Sequence, residues 1–158
     1  MQSVRRVTFE EVRKSFQHEN RASDSYQWTD DELEQADKQF NGKWTLVRLS
    51  RTDILNIMLP RHEHGIELIP HPGLTVSAAV ERLIMLLHQN EIEPCFKNIS
   101  SHKGRDFSET HVFLKFEDGR LKHLDGLHRL LAWVFFEKND DVPAYVAGEA
   151  TGEAIFGT

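Results

Sequence analysis

Apolar positions along the chain recur at two periods. Trp44-Thr45-Leu46-Val47-Arg48-Leu49 alternates and is rich in strand formers, which predicts a β-strand. Val76, Ala79, Val80, Leu83, Ile84 and Leu87 fall on one face at helical spacing, so residues 76–89 are expected as an amphipathic helix ended by Asn90. His111 to Phe116 reads as a second strand. Glu117-Asp118-Gly119-Arg120 carries the Asp-Gly hairpin signal, and Leu121 to Leu124 returns as the partner strand. From Leu127 to Lys138 the pattern is apolar nearly all round (Leu130, Leu131, Trp133, Val134, Phe135, Phe136), as for a mostly buried helix. Asp141 and Pro143 introduce a last strand, Ala144-Tyr145-Val146-Ala147.

Ahead of this series, residues 8–18 and 29–40 read as charged helices with few apolar positions. Thr8 with Glu11 and Thr29 with Glu32 have capping-box spacing. Residues 1–43 are therefore expected as a helical N-terminal extension to a domain of residues 44–158. Ser50 starts a short helical turn through Leu55, and a polar, His-rich loop runs from Pro60 to Gly73. Glu93 to Phe96 is expected as a short strand, Ser100 to Ser108 as a flexible loop, and the small, acidic stretch from Gly148 as a loosely ordered tail. Strand, helix, hairpin, helix, strand after a helical extension predicts an α+β domain with a small mixed sheet.

A length of 158 residues suits one domain with a core that needs no metal or disulfide staple. The net charge of −6 leaves no basic footprint for duplex nucleic acid. A single cysteine, Cys95, excludes an internal disulfide and fits a reducing compartment. The first residues have no apolar signal core and carry acids early, and no apolar run approaches a membrane span. A cytoplasmic protein without a membrane partner is the expectation.

Candidate chemistry concentrates at Leu124-Asp125-Gly126-Leu127-His128-Arg129, where a strand gives way to a helix. A helix start offers backbone N–H groups and the positive end of the dipole, which favours an anion such as phosphate. Gly126 lets a ligand approach the backbone; His128 and Arg129 add donors, and Arg binds phosphate in a fork. Asp125 can hold Mg²⁺, orient a hydroxyl, or simply cap the helix. The segment Arg61-His62-Glu63-His64-Gly65-Ile66-Glu67, with His71 nearby, admits a zinc or iron reading, but a solvated, substrate-facing loop is the favoured one. His88 and His111 read as structural, Trp133 as core, and His123 faces either the site or solvent.

This order of elements, with the Gly126-Leu127-His128-Arg129 turn, resembles the ParB/sulfiredoxin superfamily from about Trp44 to Ala147. Sulfiredoxins carry a catalytic cysteine where Leu127 stands, which argues against disulfide or sulfinate chemistry here. ParB-type proteins have a more basic setting. The motif is most similar to the free serine kinases of that superfamily, which carry an Asp-Gly-His-His-Arg turn and a Pro-His-Glu segment; this chain has Asp125-Gly126-Leu127-His128-Arg129 and Pro60-Arg61-His62-Glu63. The resemblance implies a small mixed sheet flanked by helices and a kinase using ATP or ADP on the hydroxyl of an amino acid or related metabolite. It hands the role of base to Glu63, with Glu67 competing, and the phosphate cradle to residues 126–129. Glu63, Asp125 and His128 are then the catalytic candidates, Gly126, Leu127, His128 and Arg129 the nucleotide contacts, and Asp125 the Mg²⁺ ligand. Two rivals stay open: a non-catalytic nucleotide-binding accessory or regulatory protein, and a ParB-like phosphoesterase or nuclease.

Overall fold

The computed structural model describes residues 1–20, 26–60, 69–89 and 96–149. In chain order these form β1 (Gln2–Val7), α1 (Phe9–Asn20), α2 (Tyr26–Gln39), β2 (Trp44–Leu49), α3 (Arg51–Leu55), β3 (Met58–Leu59), β4 (Leu74–Thr75), α4 (Val76–His88), α5 (Phe96–Ser101), β5 (Val112–Glu117), β6 (Arg120–Asp125), α6 (Leu127–Phe135) and β7 (Val142–Ala147). The fold is α+β: among the described residues, one mixed sheet in the order β1-β2-β7-β5-β6-β3-β4, seven strands wide, with six helices. β5 runs parallel to β7 and β3 parallel to β6; the other pairs are antiparallel.

Alternation along the central strands sends side chains into two separate cores. Phe113, Leu124, Tyr145 and Ala147 face α1 and α2, where they meet Val12, Phe16, Leu33 and Ala36. Leu114, Ala144 and Val146 point the other way, into a larger cluster with Ile54, Ala79, Leu83, Ile99 and Leu130 from α3, α4, α5 and α6. Trp44 anchors the first core: it is fully buried, stacks on Phe9 at 5.9 Å, and donates its indole N–H to Asp37 at 2.9 Å. The β5–β6 hairpin closes through Asp118 (φ 52°) and Gly119 (φ 75°), the paired positive φ values of a type I′ turn that the Asp-Gly signal announces.

Several expectations need correction. The N-terminal segment is not only helical, because Gln2–Val7 is a strand paired antiparallel with β2 at the sheet edge. Thr8 does cap α1, accepting from the Glu11 N–H at 3.2 Å, but Thr29 lies inside α2, which already begins at Tyr26. The Glu11 carboxylate is bound by Arg5 instead of closing the box. The stretch expected as a loop from Ser100 to Ser108 contains the end of α5 and a 3-10 turn at Phe107–Glu109. On α4 the buried positions include Leu86, whereas Ile84 is 43% exposed. The buried helix ends at Phe135, three residues before the Lys138 expected. Phe96 opens α5 rather than ending a strand; residues 93–95, Cys95 among them, lie outside the described residues. So does the tail beyond residue 149. Among the described residues no helix is long and apolar enough to cross a membrane.

Candidate functional site

β6 has to turn sharply into α6 at the end of the sheet, and Gly126 makes that possible. Its φ is 105°, in the left-handed region, and a Cβ there would stand 3.3 Å from both methyls of Val112. As the residue before α6 it offers no side chain, so no side-chain hydrogen bond caps this helix. Asp125 therefore does not act as the N-cap. The first helical bond runs from the Leu130 N–H to the Gly126 carbonyl at 3.0 Å. The N–H groups of residues 127–129 precede that bond and mark the positive end of the dipole.

Asp125, Gly126, His128 and Arg129 are brought together here, as the sequence predicts. Leu127 is not a side-chain contact: it is 8% exposed and packs into the larger core, leaving its backbone N–H as its contribution. His128 is half-buried on the first turn of α6. The Arg129 guanidinium reaches back one helical turn to the Asp125 carboxylate at 3.4 Å, with side-chain exposures of 13% and 21%. Burial pushes the Asp125 carboxyl up from its ordinary range; Arg129 opposes that, Glu19 reinforces it, and the Gly126 N–H and Asn20 pull it back. Burial and the charges of Arg105 and Arg129 also push the His102 imidazole down to about 4.

Glu19 and Asn20 enter this picture from the C-terminal end of α1. Glu19 is the residue beside Asp125 and His111 that sequence reasoning missed. Its Oε1 accepts from both the backbone N–H and Nδ1 of His111, each at 2.9 Å. Its side chain is 9% exposed, and Oε2 has no hydrogen-bond partner among the described residues. His111 stacks on Tyr145 at 4.5 Å, and the Tyr145 hydroxyl sits 3.1 Å from Ser15 and donates to Glu11 at 3.3 Å.

Behind Arg129 the recess formed with Phe107, Val112, Leu130 and Trp133 is too tight to admit water. β3 runs parallel beside β6, with Met58 level with Lys122, so Pro60 and Asp125 lie at the same sheet end. Glu63, Glu67, His62 and His64 lie outside the described residues. Among the described residues no three metal-ligating side chains converge.

A larger concavity, about 940 Å³, lies at the hairpin end of the sheet, lined by Met1, Arg5, Arg6, Asp53, Phe116 and Arg120 among others. Size alone does not make it the better site. Arg5 is bound to Glu11, Arg6 to Glu149, and the Met1 amine to Asp53, as Arg129 is to Asp125 at the α6 turn. The comparisons add little chemistry. No curated protein and no solved structure matches the chain. A family model does, over residues 1–156, and the chain belongs to that family of unknown function, DUF6309.

Proposed function

We propose that this protein is a small-molecule kinase that moves a phosphoryl group from ATP or ADP to a hydroxyl of an amino acid or related metabolite. The observation that carries this reading is the opening of α6: a left-handed glycine, no capping side chain, and Arg129 held against Asp125. Phosphoryl transfer asks a protein mainly to hold phosphates, neutralise charge and orient the acceptor. The N–H groups of 127–129, with Arg129, would hold the phosphates, and His128 adds a donor on the same turn. Asp125 would supply one carboxylate to Mg²⁺, which needs only one or two beside phosphate oxygens and water. The ion held by Asp125 would supply positive charge that neutralises the phosphates. The choice of acceptor rests on the resemblance to the free serine kinases of the ParB/sulfiredoxin superfamily, as does the assignment of Glu63 as base.

The test is a thermal-shift series with ATP and ADP, with and without Mg²⁺, followed by transfer of labelled phosphate to a panel of hydroxy amino acids. Ligand at a hundred times its Kd stabilises the native state by about 2.7 kcal/mol. A chain of this size then melts roughly 5–10 °C higher. Arg129→Gln is expected to remove most of that rise. Stabilisation without product would favour the accessory nucleotide-binding protein. No response to any nucleotide would end the reading.

A further inference from the structure

We propose that His111, its ring held by Glu19, is the group that takes the proton from the acceptor hydroxyl. This rests on the phosphoryl-transfer reading and assigns within it the role that the resemblance hands to Glu63. Placement comes from strand register. Phe113, two residues after His111, pairs with Asp125 in the antiparallel β5–β6 ladder, so His111 and the turn from β6 into α6 lie at the same end of the sheet. Glu19 spans the same gap: it bonds His111, and its charge falls on Asp125.

The hydrogen bonds set the tautomer. Glu19 Oε1 receives the His111 backbone N–H, which can only donate, and the same oxygen faces Nδ1. A carboxylate oxygen accepts, so Nδ1 carries the hydrogen and Nε2 keeps its lone pair. A carboxylate on Nδ1 also stabilises the imidazolium formed when Nε2 gains a proton. Tyr145 stacks against the ring and fixes its plane, while the side chain stays 24% exposed. The titratable groups facing the ring are Glu11 and Glu19 of α1 and Tyr145 of β7, with Asp125 of β6 beyond Glu19.

In the step itself the acceptor O–H gives its proton to His111 Nε2. The freed oxygen pair forms a bond to the terminal phosphorus of the nucleotide. The bond from that phosphorus to the bridging oxygen breaks, and the nucleotide leaves one phosphoryl group shorter with that electron pair. His111 is the catalytic residue; Glu19 is a positioning residue.

The experiment uses the full chain with MgATP labelled at the terminal phosphate and a pool of serine, threonine and homoserine. His111→Gln is expected to keep the MgATP-induced rise in Tm and to lower transfer at least about 100-fold. Glu19→Gln is expected to lower kcat about tenfold with KM and the MgATP-induced rise in Tm unchanged, and Glu19→Asp to restore most of the loss, because a carboxylate is what holds Nδ1–H. A purely structural tie between α1 and β5 would lower Tm and leave kcat unchanged. In the parent protein, diethyl pyrocarbonate modification of His111 should track loss of transfer and be reversed by hydroxylamine. This arm covers a variant that fails to fold. Transfer at the parental rate by His111→Gln, or by protein carbethoxylated at His111, overturns this assignment alone. A parent that shows no MgATP response or no transfer removes the kinase reading and this inference with it.

Discussion

Gly126 is where a single methyl group has the largest expected effect on the proposed site. Alanine there would have to hold φ near 105° with its methyl 3.3 Å from two methyls of Val112. Left-handed strain in a residue with a Cβ costs on the order of 1–3 kcal/mol. Gly126→Ala should therefore lower the melting temperature by roughly 3–10 °C and, by turning the N–H groups of 127–129, abolish nucleotide-induced stabilisation. A variant that melts with the parent would show that the left-handed turn is not required. His102 makes a prediction about acid. Burial, Arg105 and Arg129 hold its folded value at about 4, against an ordinary 6.5. Between those values the unfolded chain takes up a proton that the folded one refuses. The stabilisation is thus complete above pH 6.5 and is lost as pH falls toward 4. Discounted for the half-exposed ring, the effect is about 1–2 kcal/mol. Urea melts at about pH 7 and about pH 4.5 should show the parent losing that much more than His102→Gln; equal losses would refute it.

Whether an element can be read from sequence depends on how many residues declare its period. α4 and α6 each spread a face over several turns, and β2, β5 and β7 alternate against buried neighbours, so their patterns are local and legible. β1 is an edge strand with residues 2–6 exposed, so it has no alternation to show. β3 and β4 are two residues each, too short for any period. Ile84 sits where helical spacing allows either an inward or an outward place, and packing sent Leu86 inward instead. The candidate site divides in the same way. Asp125 to Arg129 is contiguous and announces itself through a strand-to-helix switch. Glu19 and His111 lie 92 residues apart, and only the docking of α1 on the sheet joins them. A lone histidine before a strand and a lone glutamate on a charged helix carry no mark of each other.

The two cores are laid on opposite faces of one sheet, and this decides what the first 43 residues do. Val12, Phe16, Leu33 and Ala36 of α1 and α2 are at most 1% exposed, and together they cover Trp44, Phe113, Leu124, Tyr145 and Ala147. A fragment of residues 44–158 would bare that whole face. Each large apolar side chain returned to water costs about 1.5–3 kcal/mol, so the loss approaches the roughly 5–15 kcal/mol that stabilises a typical domain. It would also strip β1 from β2, leaving the central part of the sheet with a new, apolar edge. The fragment is therefore expected to give no sharp thermal transition by circular dichroism and to elute as aggregate on gel filtration. The full chain should melt cooperatively. A monomeric, cooperatively melting fragment would mean that α1 and α2 are a cover and not half of the fold. In that case the fragment would still lack Glu19, and His111 would have lost the carboxylate that sets its tautomer. Comparing nucleotide response and transfer in such a fragment would then separate the phosphate-binding turn, which it retains, from the proton-accepting pair, which it does not.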